Sequence, residues 1–149
     1  MSAPEVRSGL VLFGHGARDP RWADTIAAIA ARVAELSPGM PVRPAFLEFM
    51  SPDLAGAIDA LVAEGVRAIV VAPVFLASGG HVLRDLPARL DEIARRHPGL
   101  TVRVEPALGG LPAVVDAMAR HCVGALVATP GPVDAPMRGP GHEKGVDGP

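Results

Sequence analysis

The chain has 149 residues but only one cysteine, Cys122, and one lysine, Lys144, and no apolar run long enough to cross a bilayer. The lone cysteine excludes an intramolecular disulfide and a cysteine-rich zinc site, and it fits a reducing, cytoplasmic compartment. Its place in a late helical segment reads as packing. The longest apolar run, Ala68 to Ala77, is interrupted by Pro73 and falls short of the roughly 20 residues of a membrane span. Met1 to Gly9 lacks an apolar core, so no signal peptide is expected. A formal net charge of −2 offers no basic surplus for nucleic acid. The sequence has no internal repeat, no heptad pattern, no GxSxG nucleophile elbow and no GxxxxGK[ST] phosphate loop, and Gly14-His15-Gly16 is not a GxGxxG fingerprint.

What is present is a hydrophobic fraction of 49%, enough for one compact domain with a real core. Four apolar segments alternate with four amphipathic ones. Leu10 to Phe13 predicts a first strand, and a helix follows from about Arg21 to Leu36. That helix carries Trp22, Ile26, Ile29, Ala30 and Val33 on one face, and Ser37-Pro38-Gly39 stops it. Trp22 could wall a flat ligand, but its place in this stripe reads as packing. A second strand, Val42 to Leu47, contains Pro44 and is expected at an edge. A second helix follows Ser51-Pro52-Asp53, with Ser51 as the expected N-cap, and ends at Gly65. Ala68 to Val74 is apolar on both faces and predicts a central strand. The third helix is expected to begin near Asp85, which would keep Pro87 in its first turn, and to end at His97-Pro98-Gly99. Thr101 to Val104 reads as an edge strand, and a last helix runs from Pro112 to about Leu126. From Thr129 onward, 10 of 21 residues are Gly or Pro, so a disordered tail is expected over 129–149, with a flexible terminus over 1–8 and the folded domain between.

The β-α-β-α-β-α-β-α pattern with right-handed crossovers implies an α/β fold with a parallel sheet and helices on both faces. Central strands 1 and 3 between edge strands 2 and 4 give the order 2-1-3-4. The strand order then reverses between strands 1 and 3, and ligands bind at the carboxyl ends of strands beside such a point. His15 follows strand 1 and His81 follows strand 3. Glu48 ends strand 2 between apolar neighbours, either as a ligand or as a helix cap or ion-pair partner. Two histidines and a carboxylate on one rim suggest a metal or proton-transfer site, suited to Co2+, Ni2+, Fe2+ or Zn2+. His97 and His121 lie near helix C-termini, where a cation suits the helix dipole, and His142 lies in the tail; none of the three is expected to act.

Three segments carry a resemblance: Leu10 to Pro20 (LVLFGHGARDP), Phe46 to Pro52 (FLEFMSP), and Ala72 to Val82 (APVFLASGGHV) with Asp85-Leu86-Pro87. Together they resemble the class II tetrapyrrole chelatases, in particular the short sirohydrochlorin cobaltochelatases of CbiX type. The resemblance covers about Leu10 to Leu126. It implies one flavodoxin-like half of a chelatase sandwich, so that two chains would pair into a homodimer. It also implies that His15 and His81 hold the metal, with Glu48 assisting catalysis. Ala17 stands where many members have Ser.

On this resemblance the substrates are a sirohydrochlorin-type tetrapyrrole and a divalent metal, Co2+ first, with Fe2+ or Ni2+ as alternatives. No organic cofactor, nucleic acid or membrane is implied. Insertion requires loss of two pyrrole N–H protons, and imidazole, with an ordinary pKa of about 6.5, can hold metal or accept a proton near neutrality. Ser78, Gly79 and Gly80 of the second histidine loop are expected to touch the macrocycle. Arg18, Arg21 and Arg84 flank the two loops and either fork to substrate carboxylates or serve as solvated or helix-capping charges.

Overall fold

The computed structural model describes residues 6–77 and 80–128. The expected disordered tail from Thr129 and residues 1–5 of the expected flexible terminus lie outside the described residues. Four strands, β1 (Ser8–Gly14), β2 (Val42–Phe46), β3 (Ala68–Pro73) and β4 (Thr101–Val104), form one parallel sheet in the order β2-β1-β3-β4. The helices are α1 (Ala23–Leu36), α2 (Leu54–Ala63), α3 (His81–Arg96) and α4 (Pro112–Val127). Residues up to Val115 form one compact unit, and α4 from Asp116 onward belongs to a second. No described helix is long and apolar enough to cross a membrane.

Alternation along β1 divides the core in two, because successive side chains of a strand point to opposite faces. Val11 and Phe13, with Ile69 and Val71 of β3, pack among Leu54, Ala57, Ile58 and Leu61 of α2 and Leu86, Leu90 and Ile93 of α3. Leu12, with Phe46 of β2 and Ala72 of β3, packs against Ile26 of α1. Each fully buried side chain of this size stabilises by about 1.5–3 kcal/mol relative to exposure, so these two layers fix the sheet order. Pro44 sits in β2 opposite Leu12, at the edge where its missing N–H costs no ladder bond.

Four expectations are corrected. Trp22 is not core: it ends a short 3-10 turn (Pro20–Trp22) ahead of α1 and is 69% exposed. The N-cap of α2 is Asp53 rather than Ser51, its carboxylate accepting from the Gly56 N–H at 2.8 Å. Helix α3 begins at His81, four residues early, because Gly80 adopts a φ of 128° that turns the chain directly into the helix. Pro87 consequently lies in the second turn, where the loss of one helical bond is outweighed by burial of Leu86 and Leu90 on the inner face. Cys122 is exposed on α4 instead of packed.

His97 is structural, as expected. It caps α3, and its Nε2 lies 2.6 Å from Asp59 Oδ1 on α2, joining the two helices beneath one face of the sheet. His97→Ala is expected to lower unfolding free energy by about 1 kcal/mol, the worth of one such bond. Urea denaturation should report this with an unchanged denaturant slope.

Candidate functional site

Gly14 of β1 lies opposite Phe46 of β2, and the two chains stay paired beyond the ends of their strands. The Leu47 N–H donates to the Gly14 carbonyl at 3.0 Å, and the Glu48 N–H to the His15 carbonyl at 3.1 Å. This pairing brings together two side chains 33 positions apart, His15 Nε2 and Glu48 Oε1, at 3.0 Å. Gly16 makes the approach feasible. Its φ is +86°, and a Cβ there would stand 1.9 Å from the Glu48 carbonyl oxygen. Phe49 then turns through a φ of 63°, and the Arg18 guanidinium covers its ring at 5.1 Å. That cation–π contact contributes about 0.5–1 kcal/mol at an exposed position.

The His15 ring is held on a second side by the edge of Phe75, centroid to centroid 6.3 Å, and Phe75 leans in turn on Phe13. The imidazole is oriented yet accessible, its side chain 57% exposed. An ionised carboxylate can only accept, so the bond to Glu48 puts the proton on Nε2 and leaves the lone pair of Nδ1 for a metal or a proton.

His81 is the first residue of α3 and is exposed. With Glu48, Asp85, Leu86 and Arg89 it lines a cavity of about 310 Å3 that reaches down to Phe13. Glu48 therefore joins the two histidine loops: it bonds His15 and shares a cavity with His81. Among the described residues, no three His, Cys, Asp or Glu side chains close into a ready-made metal cage. A larger cavity, about 390 Å3, opens at the amino ends of β1 and β2 beside Arg7, Ser8 and Met40, away from these groups.

The expected substrate-binding residues fare differently. Ser78 and Gly79 lie outside the described residues, and Gly80 caps α3. Arg84 is exposed and makes no ion pair among the described residues. Arg21 is engaged elsewhere: its Nε lies 3.0 Å from both oxygens of Asp19, and this guanidinium holds the exposed Asp19 carboxyl below the usual carboxylate range. Asp85 and Arg89 were missed. With His81 they recur every four residues on one helix face, a spacing visible only once the helix is known to start at His81.

Comparison with known proteins gives a consistent picture. The CbiX family model matches residues 9–123. A sirohydrochlorin cobaltochelatase of Methanococcus aeolicus is 37% identical over 78 residues, which is 52% of this chain and 54% of the relative. One from Methanocaldococcus jannaschii is 36% identical over 88 residues, 59% of this chain and 62% of the relative. The matched segment thus spans little more than half the length of these curated relatives. The crystal structure of a putative cobalamin biosynthesis CbiX protein from Marinobacter aquaeolei VT8 superposes with a TM-score of 0.70 at 28% identity, covering 80% of this chain and 94% of that one. The sirohydrochlorin chelatase SirB from Bacillus subtilis subspecies spizizenii, solved in complex with cobalt, gives a TM-score of 0.64 at 25% identity, covering 80% of this chain and 51% of SirB. With the family match running from β1 through most of α4, the chain belongs to the CbiX family.

Proposed function

We propose that this chain inserts a divalent metal into a sirohydrochlorin-type tetrapyrrole in the cytoplasm, with Co2+ as the first candidate metal and Fe2+ or Ni2+ as alternatives. The metal is a substrate, and no organic cofactor takes part. The observation that carries this reading is the His15–Glu48 pair at the rim of the β1–β3 switch point, in a chain of the CbiX family. The names of the relatives supply the substrate, and the cobalt complex of SirB supplies the preferred metal.

The chemistry is a balanced exchange: a divalent ion enters the ring and two pyrrole protons leave. His15, through Nδ1, and His81 hold the metal as neutral imidazoles, or accept a pyrrole proton as the ion moves inward. Glu48 keeps the His15 ring in the productive tautomer and stabilises the imidazolium that forms on proton uptake. An open ligand set suits a metal that must be given up, because exchangeable water completes the shell until the ring nitrogens replace it. Arg18 and Arg84 are exposed guanidinium groups that would fork to substrate carboxylates, and Ser78, Gly79 and Gly80 are assigned to contact with the ring.

A homodimer completes this reading. The chain covers 51% of SirB, so two copies would supply both lobes of a molecule of that size, and a two-fold pair gives the macrocycle a second wall. Val115 and Met118 of α4 are exposed and available to such a contact. Light scattering at micromolar concentration should report about twice the 15.3 kDa chain mass. A monomer that turns over substrate would contradict the two-wall argument.

The activity is tested on the visible spectrum of sirohydrochlorin mixed with Co2+ and catalytic amounts of protein. Band shifts over many turnovers are expected; metal binding without a shift would mark a carrier instead. His15→Ala and His81→Ala should each abolish turnover and leave the melting curve unchanged, since both side chains are exposed and no cavity is created. Glu48→Gln should slow insertion about 100-fold while sirohydrochlorin still binds. Near-normal turnover in that variant would remove Glu48 from the chemistry.

A further inference from the structure

His15 lines one cavity, and Glu48, bonded to it, lines another. On the side of α3 lies the charged cavity with Glu48, His81, Asp85 and Arg89. On the side of α1 lies a second cavity of about 310 Å3, walled by Trp22 and Thr25 on one flank and by Phe75 and Leu76 on the other, with Gly14, His15 and Gly16 between. The two basins have opposite chemistry, and only the first holds carboxylates.

The apolar basin is a built feature. Trp22 is 69% exposed and Leu76 is 77% exposed, and the backbone beside each is tied down by a hydrogen bond. Trp22 ends a 3-10 turn whose N-cap, Asp19, accepts from the Arg21 N–H at 3.0 Å and also grips the Arg21 guanidinium. The Phe75-Leu76 loop is anchored by the Gly109 N–H donating to the Phe75 carbonyl at 2.9 Å. Exposed apolar side chains on an anchored backbone lower the ordering cost of binding a flat ligand, because the wall exists before the ligand arrives.

We infer that Trp22 is a substrate-binding residue whose indole packs against the face of the tetrapyrrole in the apolar basin that His15 lines, while the metal is gathered in the charged cavity that Glu48 shares with His81. This inference rests on the proposed chelatase function. It assigns the two substrates to separate approaches, so that neither blocks the other at His15. It also gives Arg21 a role, as the brace of the Trp22 turn and not as a carboxylate fork. The ring is the fitting occupant because a π face stacks favourably on indole, whereas a hydrated cation gains nothing from an apolar basin.

Steady-state insertion kinetics on the full chain separate the two approaches. Trp22→Ala should raise the KM for sirohydrochlorin about 10-fold, leave kcat and the KM for Co2+ within about 2-fold, and be rescued by Trp22→Phe. Arg21→Ala should show a weaker effect in the same direction. Titration of metal-free sirohydrochlorin with the Co2+-free protein should give the same rise in Kd for Trp22→Ala. An unchanged sirohydrochlorin KM, while wild type inserts cobalt normally, would overturn the assignment and leave the chelatase reading standing. A parallel rise in the KM for Co2+ would overturn it as well, since the substitution would then be distorting His15. A fall in assembly mass with Trp22→Ala in light scattering would also overturn it, making the basin a contact between copies of the chain. A wild-type protein that cannot shift the bands would remove the underlying function and the inference with it.

Discussion

The structure depends on the parallel pairing of β1 and β2 continuing past the ends of both strands. Two backbone bonds, Leu47 to Gly14 and Glu48 to His15, hold the first histidine loop against the chain leaving β2. They place the His15–Glu48 pair. The bonds require two chains to come closer than side chains normally allow, and Gly16 permits it: no other residue fits beneath the Glu48 carbonyl at a φ of +86°. The core supplies the rigidity behind this contact. Phe13 is 1% exposed two residues before His15, and Phe46 is 5% exposed just before Leu47. Neither strand end can slide without pulling a large apolar side chain out of a close-packed layer.

From this constraint the chemistry follows in steps. A carboxylate held against one ring nitrogen of His15 fixes which nitrogen remains available. An aromatic edge, Phe75, limits rotation of the same ring. Helix α3 then brings His81, Asp85 and Arg89 along one face toward Glu48. The result is an oriented but open set of N and O donors, with an apolar basin on one side and a charged one on the other. Such an arrangement suits transfer of an ion better than its storage.

Much of this was legible in the sequence. Pro44 marked β2 as an edge, the two-sided apolar run from Ala68 marked β3 as central and Thr101 to Val104 read as a second edge, and with β1 central these gave the strand order. The order in turn located the rim that carries His15 and Glu48. The failures share a cause: each turned on a conformation that residue type alone does not specify. Trp22 matched the helical spacing of Ile26 and Ile29, but Pro20 and the Asp19 cap start a tighter 3-10 turn that swings the indole out of the stripe. The start of α3 was placed near Asp85 because Pro87 favours a first turn, whereas the left-handed Gly80 permits an earlier one. That shift hid the shared face of His81, Asp85 and Arg89. The pairing of Arg21 with Asp19, two residues back in the same turn, had no signal in residue type alone. The Phe49 conformation and its cover by Arg18 had no sequence signal beyond proximity to Glu48.

The central claim is that His15 and His81, coupled through Glu48, receive the metal. Anomalous diffraction at the cobalt edge, from crystals soaked in Co2+ without tetrapyrrole, tests it most directly. The account predicts a peak about 2.1 Å from Nδ1 of His15 and from a ring nitrogen of His81, with the Glu48 carboxylate still held against His15 Nε2 on the other side of the ring. A crystal in which cobalt occupies only the His97–Asp59 pair, or binds neither rim histidine, would contradict it.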